Sequence, residues 1–198
     1  IVNPSYYLSI NNCIKFHYTM EIIKRIEQKT ALRLVLQEEE GNLCFANNND
    51  DLRDEFKQVF TLLNLLDYVY AVLKNKNRKI QLIPMLLPEN VTEFWKFVKI
   101  GEALRMDLLT EENIKKSIVS KFPISGNNTV NTIQFIQNKL YINDNQYFSE
   151  ILDNTWIFQL GNYRPLQEWL THHQNNTLKN SDISIFKNMV IVINEITK

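Results

Sequence analysis

Two apolar stripes of helical period, separated by a connection punctuated with proline, constrain this fold more than any other feature. In TLLNLLDYVYAVLKN, Leu62, Leu65, Leu66, Val69 and Leu73 recur at intervals of three and four, which places them on one helix face with Thr61 positioned as the cap. In VTEFWKFVKIGEALRMDLL, Phe94, Trp95, Val98, Leu104 and Leu108 recur in the same way behind a cap at Asn90. Neither stripe is stable facing water, so the two helices are expected to pack together. Pro84 and Pro88 in the intervening IQLIPMLLP prevent one continuous helix.

Upstream, Tyr18 to Lys29 reads as a helix with Met20, Ile23 and Ile26 on one face. Leu32 to Gln37 and Asn42 to Ala46 flank an acidic turn at Glu38 to Gly41 and predict a hairpin, and NNNDD at Asn47 to Asp51 reads as a loop. After Phe122 the pattern changes to period two. Thr129 to Ile136 and Lys139 to Ile142 predict a hairpin around Gln137 and Asn138, and Trp156, Phe158 and Leu160 alternate as a third strand. Gly161 then permits a tight turn, and Pro165 suits the first turn of a helix carrying Leu166, Trp169 and Leu170. A last helix from about Asp182 turns Phe186, Met189, Val190 and Ile193 inward. The expected class is α+β and helix-rich, with a small antiparallel sheet and flanking helices in the C-terminal half. Residues 1–120 form a mainly helical portion with a short hairpin, and residues 121–198 an α+β portion.

Composition narrows the function. With 198 residues, 44% of them hydrophobic, the chain can bury a substantial core. No apolar run approaches the ~20 residues that span a bilayer, and no leader pattern is present, so a soluble cytoplasmic protein without membrane contact is expected. The first residue is Ile1, which suggests a piece of a larger protein. Cys13 and Cys44 have no partners at metal-ligand spacing and read as incidental thiols. Lys plus Arg equals Asp plus Glu, 22 each, which counts against an autonomous nucleic-acid binder. It leaves room for a module that reads bases with neutral amides and hydroxyls.

Few residues suggest catalysis. Asn3, Pro4, Ser5 and Tyr6 invite comparison with the Asn-Pro-Pro-Tyr signature of amino-methyltransferases, but Ser5 replaces the second proline and no glycine-rich turn follows a strand, so a surface turn is the better reading. His172 and His173 stand where a cation favours a helix C-terminus, and His17 is isolated. Lys74, Lys76, Arg78 and Lys79 place four cations within six residues, enough to track phosphates, although a solvated helix end is the favoured reading. Ser125 to Thr129 is either a polar turn or a set of base-reading groups, and Arg164 stands at a strand-to-helix turn among aromatics.

Several separated blocks carry a family likeness: LLDYVYAVLKNKNRK, FPISGNNTV, KLYINDNQYFSEI and NTWIFQLGNYRPLQEWL. Tyr68, Tyr70, Tyr141, Asn143, Tyr147, Phe148, Trp156, Phe158, Gly161, Tyr163 and Trp169 carry the resemblance. Together the blocks resemble the C-terminal target-recognition, or specificity, domain of type ISP-like restriction-modification enzymes, which are N6-adenine DNA methyltransferases fused to restriction enzymes. The sequence departs from the family at Asn162, where a second glycine is usual, and at THHQNN, where a Lys/Arg-rich turn is usual. The resemblance implies a non-catalytic module that docks on duplex DNA and positions a methyltransferase domain of the same parent chain. The parent would use S-adenosylmethionine, with no cofactor in this part, and would have possible restriction activity. DNA-contact candidates are Lys74, Lys76, Arg78, Lys79 and Arg164 toward phosphates and Asn127, Asn128, Thr129 and Asn131 toward bases. The competing expectation is a protein-docking domain of the same enzymes that never touches base edges.

Overall fold

Thr61 and Asn90 begin helices as their side chains require. In the computed structural model, which describes residues 21–36, 57–75, 87–110, 113, 120–160 and 163–198, α1 spans Glu21–Thr30, β1 Arg33–Val35, β2 Val59–Thr61, α2 Leu62–Asn75 and α3 Val91–Leu108. Thr61 Oγ1 accepts from the Asn64 amide at 3.2 Å while Asn64 Oδ1 accepts from the Thr61 amide at 2.9 Å, a reciprocal cap. Asn90 Oδ1 accepts from the Glu93 amide at 2.9 Å.

The two helices pack together as their stripes demand. Tyr68 of α2 stacks on Phe94 of α3 with ring centroids 5.1 Å apart, and Phe60 of β2 meets the same ring edge-on at 5.2 Å. The two backbones approach closely at Gly101, where an added Cβ would lie 2.0 Å from the Asp67 carbonyl oxygen. One turn later Arg105 reaches Asp67, Nε to Oδ1 and Nη2 to Oδ2 both at 3.0 Å, in a buried two-pronged ion pair. Burial pushes the Asp67 carboxyl up to about 6, with Arg105 pulling the other way.

In the C-terminal half, β3 (Gln134–Ile136), β4 (Lys139–Tyr141) and β5 (Tyr147–Phe148) form an antiparallel sheet in that order. Gln137 and Asn138 both have positive φ, 48° and 62°, as a two-residue turn joining right-twisted strands requires. After α4 (Asp153–Trp156) and α5 (Pro165–His172), the chain ends in α6 (Asn180–Ile196). Phe186, Met189, Val190, Val192 and Ile193 of α6 are all fully buried, so this helix is covered on more than one side. It packs on α2 and α3 as well as on α4 and α5. One apolar cluster therefore runs from Phe60 and Phe94 through α6 to Phe148 and Trp169. Six helices and a small antiparallel sheet among the described residues make the fold α+β.

One local expectation is corrected, and another falls partly outside the described residues. β1 pairs with β2 in parallel, Leu34 opposite Phe60, across a long sequence separation that local pattern does not reveal; the expected hairpin partner at 42–46 lies outside the described residues. Trp156, Phe158 and Leu160 do not form a strand, because Asp153–Trp156 is a helical turn tied to α6. Thr155 Oγ1 donates to buried Asn194 there. Trp156 still meets the core, stacked on Phe135 at 5.5 Å.

Candidate nucleic-acid interface

The sheet, its hairpins and the connection into α6 bring three polar loops together, at 124–132, 142–146 and 174–179. Their backbones are laced to one another. The Asn131 and Thr132 amides donate to the Ile142 carbonyl at 2.7 and 3.0 Å, Val130 N donates to Asn176 O at 3.0 Å, Asn175 N to Val130 O at 2.8 Å, and Leu178 N to Asn128 O at 2.9 Å. Val130 and Leu178, both buried, pin the first and third loops to the core. Asn128 and Asn175 adopt positive φ, 57° and 65°, which asparagine tolerates better than most residues.

Two buried side chains organise the cluster. Gln146, 2% exposed, accepts at Oε1 from the Asn128 amide (2.8 Å) and Asn143 Nδ2 (3.1 Å), and donates through Nε2 to Ile124 O (3.0 Å) and Asn128 Oδ1 (2.7 Å). Asn143 donates through Nδ2 to Thr129 O as well, at 3.0 Å, and accepts at Oδ1 from the Asn145 and Gln146 amides at 3.1 and 2.8 Å. Beneath the third loop, His173 stacks on Trp169 with centroids 3.8 Å apart and places Nδ1 2.8 Å from the Trp169 carbonyl. That carbonyl accepts, so Nδ1 carries the hydrogen; burial lowers the pKa of the ring, which favours its neutral form.

What this arrangement leaves on the surface is a group of exposed amides: Asn127, Asn131, Asn145, Gln174, Asn175 and Asn176. Asn and Gln side chains offer a donor and an acceptor side by side, the pairing that matches an adenine edge in the major groove. The chain is identified by the match of the family model for the type ISP C-terminal specificity domain to residues 7–195. It belongs to that family. No curated protein and no solved structure matches it.

In this specificity domain the sequence candidates fall in different places. Asn127 is exposed, its Oδ1 accepting from the Thr129 amide at 3.1 Å, and Asn131 is exposed. Asn128 is turned inward, engaged with Gln146 and, through Nδ2, with Leu178 O at 3.4 Å; Thr129 Oγ1 meets Thr177 Oγ1 at 3.2 Å. Arg164 is exposed at the far end of α5 from these loops and donates to Gln167 at 3.2 Å. Lys74 is exposed, its Nζ 5.6 Å from the Tyr70 ring centroid. Tyr70 lies near Glu195, at the opposite end of α6 from the third loop, a separation of about 24 Å at 1.5 Å per helical residue. The amide loops and Lys74 are therefore not brought together. Lys76, Arg78, Lys79, Gly161, Asn162 and Asn3 to Tyr6 lie outside the described residues. The local pattern around THHQNN suggested only a missing basic turn; its position beside Asn128 and Val130 depends on long-range hydrogen bonds. Among the described residues, no group of three or more His, Cys, Asp or Glu is arranged to hold a metal, and no helix is long and apolar enough to cross a membrane.

Proposed function

We propose that this specificity domain reads duplex DNA for a type ISP restriction-modification enzyme, with the amides of the three laced loops facing base edges. The observation that carries the reading is the set of six exposed amides on backbone fixed by buried hydrogen bonds, within a chain whose family is defined by specificity. Asn127 and Asn131 are the foremost base-reading residues, with Thr129 and Asn128 supporting the first loop. Asn145 and Asn175 join them from the neighbouring loops. Lys74, Lys76, Arg78, Lys79 and Arg164 are assigned to phosphates, with Lys74 away from the bases read, since its separation of about 24 Å corresponds to about seven phosphates along one strand. By holding a methyltransferase domain of the same parent over its adenine, the module would direct methyl transfer from S-adenosylmethionine, and any cleavage, done elsewhere in a bacterial cytoplasmic enzyme.

The test is salt-dependent competition between cognate and scrambled duplexes on the full-length enzyme. Asn127→Ala or Asn131→Ala should relax preference at one base pair at ~1–3 kcal/mol, whereas Lys74→Ala or Arg164→Ala should weaken all sequences and reduce the salt slope by roughly one. If none of them changes DNA binding, these contacts are wrong. The neutral net charge supports a second reading, in which the domain docks on its own enzyme without touching bases. That reading predicts tight binding to the methyltransferase portion with DNA absent and no base preference lost in any variant.

A further inference from the structure

Gln146 and Asn143 lie beneath the loops and are 2% and 8% exposed, so neither is placed to touch a base. Each amide nevertheless uses its full capacity, two hydrogens donated and two acceptances made, and the partners lie on or beside the first loop. An apolar pair would fill the same volume but would take from Ile124 O, Thr129 O and the Asn128 amide the partners that hold the loop in place. Gly126 belongs to the same device, because a Cβ there would lie 2.6 Å from Gln146 Cδ and 2.7 Å from Oε1, closer than side chains pack. The first loop is thus closed down on the Gln146 amide from above and fixed by it from below.

We infer that Gln146 and Asn143 are positioning residues for sequence discrimination: a buried amide clamp that sets the loop carrying Asn127 and Asn131 in a single shape without contacting DNA. The inference rests on the proposed reading of bases by that loop. Donor and acceptor directions are its substance, since reversing one of them displaces the loop while leaving the apolar core alone. Gln146→Glu is the sharpest change. It keeps the shape and the acceptances from Asn128 N and Asn143, but turns a carboxylate oxygen toward Ile124 O and Asn128 Oδ1, two acceptors. Protonation of the introduced carboxyl restores one of the lost donations.

The experiment measures the binding ratio between cognate duplex and single-base-pair variants for full-length enzyme carrying Gln146→Glu or Gly126→Ala, with Tm and scrambled-duplex affinity measured in parallel. The expected result is a fall of about tenfold or more in that ratio at neutral pH, as befits a mis-set base contact. Scrambled-duplex affinity should stay unchanged, and Gln146→Glu alone should recover its ratio on acidification relative to the parent at the same pH. An unchanged ratio in folded Gln146→Glu overturns the clamp. Should that variant not fold, Gly126→Ala decides by the same criterion, because its methyl sits on an exposed loop residue. Exchange of the whole domain separates the two ideas. If exchange moves the methylated site while both variants keep their ratios, only the clamp fails; if exchange leaves the site unmoved, the reading beneath it fails.

Discussion

Replacing Gly101 by alanine tests the α2 and α3 packing at a point of close backbone approach. In an exposed helix interior the change would stabilise by about 1 kcal/mol, since alanine loses less backbone freedom. Here the added Cβ meets the Asp67 carbonyl oxygen at 2.0 Å and the Asp67 Cα at 2.8 Å, both backbone atoms that no rotamer change can move. Ordinary contact needs about 1.4 Å more, so the helices must part. Overpacking of this kind costs about 1–3 kcal/mol. Parting them also draws Arg105 from the Asp67 carboxylate, now held at 3.0 Å, and disrupting a buried pair costs about 3–5 kcal/mol when complete. A partial loss added to the overpacking, less the propensity gain, gives a net destabilisation of about 3 kcal/mol. Urea unfolding of the parent and variant measures it as a lower midpoint at unchanged slope. A variant as stable as the parent would refute the close approach and, with it, the geometry assigned to the ion pair.

Trp169→Ala should cost ~3–5 kcal/mol, because the indole is 2% exposed between His173 and Phe186, whereas half-buried Trp156, resting on Phe135, should cost about half as much; equal and negligible losses in chemical unfolding would contradict the shared core. Asp67 titrates higher folded, about 6 against 3.8, so the native state holds the extra proton and stability should decline as pH rises through that window, a slope that Asp67→Asn should remove. His173 is shifted the opposite way: its neutral form is favoured by folding, the stability it contributes is present above 6.5 and lost on acidification, and His173→Phe should remove that loss in midpoints measured from pH 4 to 8. The purified chain with S-adenosylmethionine and Mg²⁺ should transfer no methyl group to DNA, and a radiolabel assay that detects transfer would move catalysis into this part of the enzyme.

Local chemistry was legible wherever one or two residues decide the backbone. The caps at Thr61 and Asn90, the turn at Gln137 and Asn138 and the helix start at Pro165 each follow from a side chain acting on its own neighbourhood. Trp156, Phe158 and Leu160 were misleading because three alternating residues fit a strand as well as a helical turn followed by an extended segment, and the bond from Thr155 to Asn194, 39 residues away, favours the turn. The parallel pairing of β1 with β2 and the approach at Gly101 are likewise long-range. For the candidate site, FPISGNNTV marked the first loop, but inward Asn128 and outward Asn127 are neighbours of the same residue type. Their partners distinguish them, Gln146 and the Leu178 carbonyl holding Asn128 inward. In the α5 to α6 connection the sequence shows the absence of cations, while the placement of its amides against the first loop depends on the hydrogen bonds of Asn175, Asn176 and Leu178 to that loop.

The central claim is that this domain selects the DNA site for its enzyme. Its most direct test is exchange of residues 7–195 for the corresponding segment of a type ISP enzyme with a different target, followed by sequencing of the methylated sites. The account predicts that the chimaera methylates the donor's sequence and ignores its own. Methylation that stays at the original sequence, in a folded and active chimaera, would contradict it.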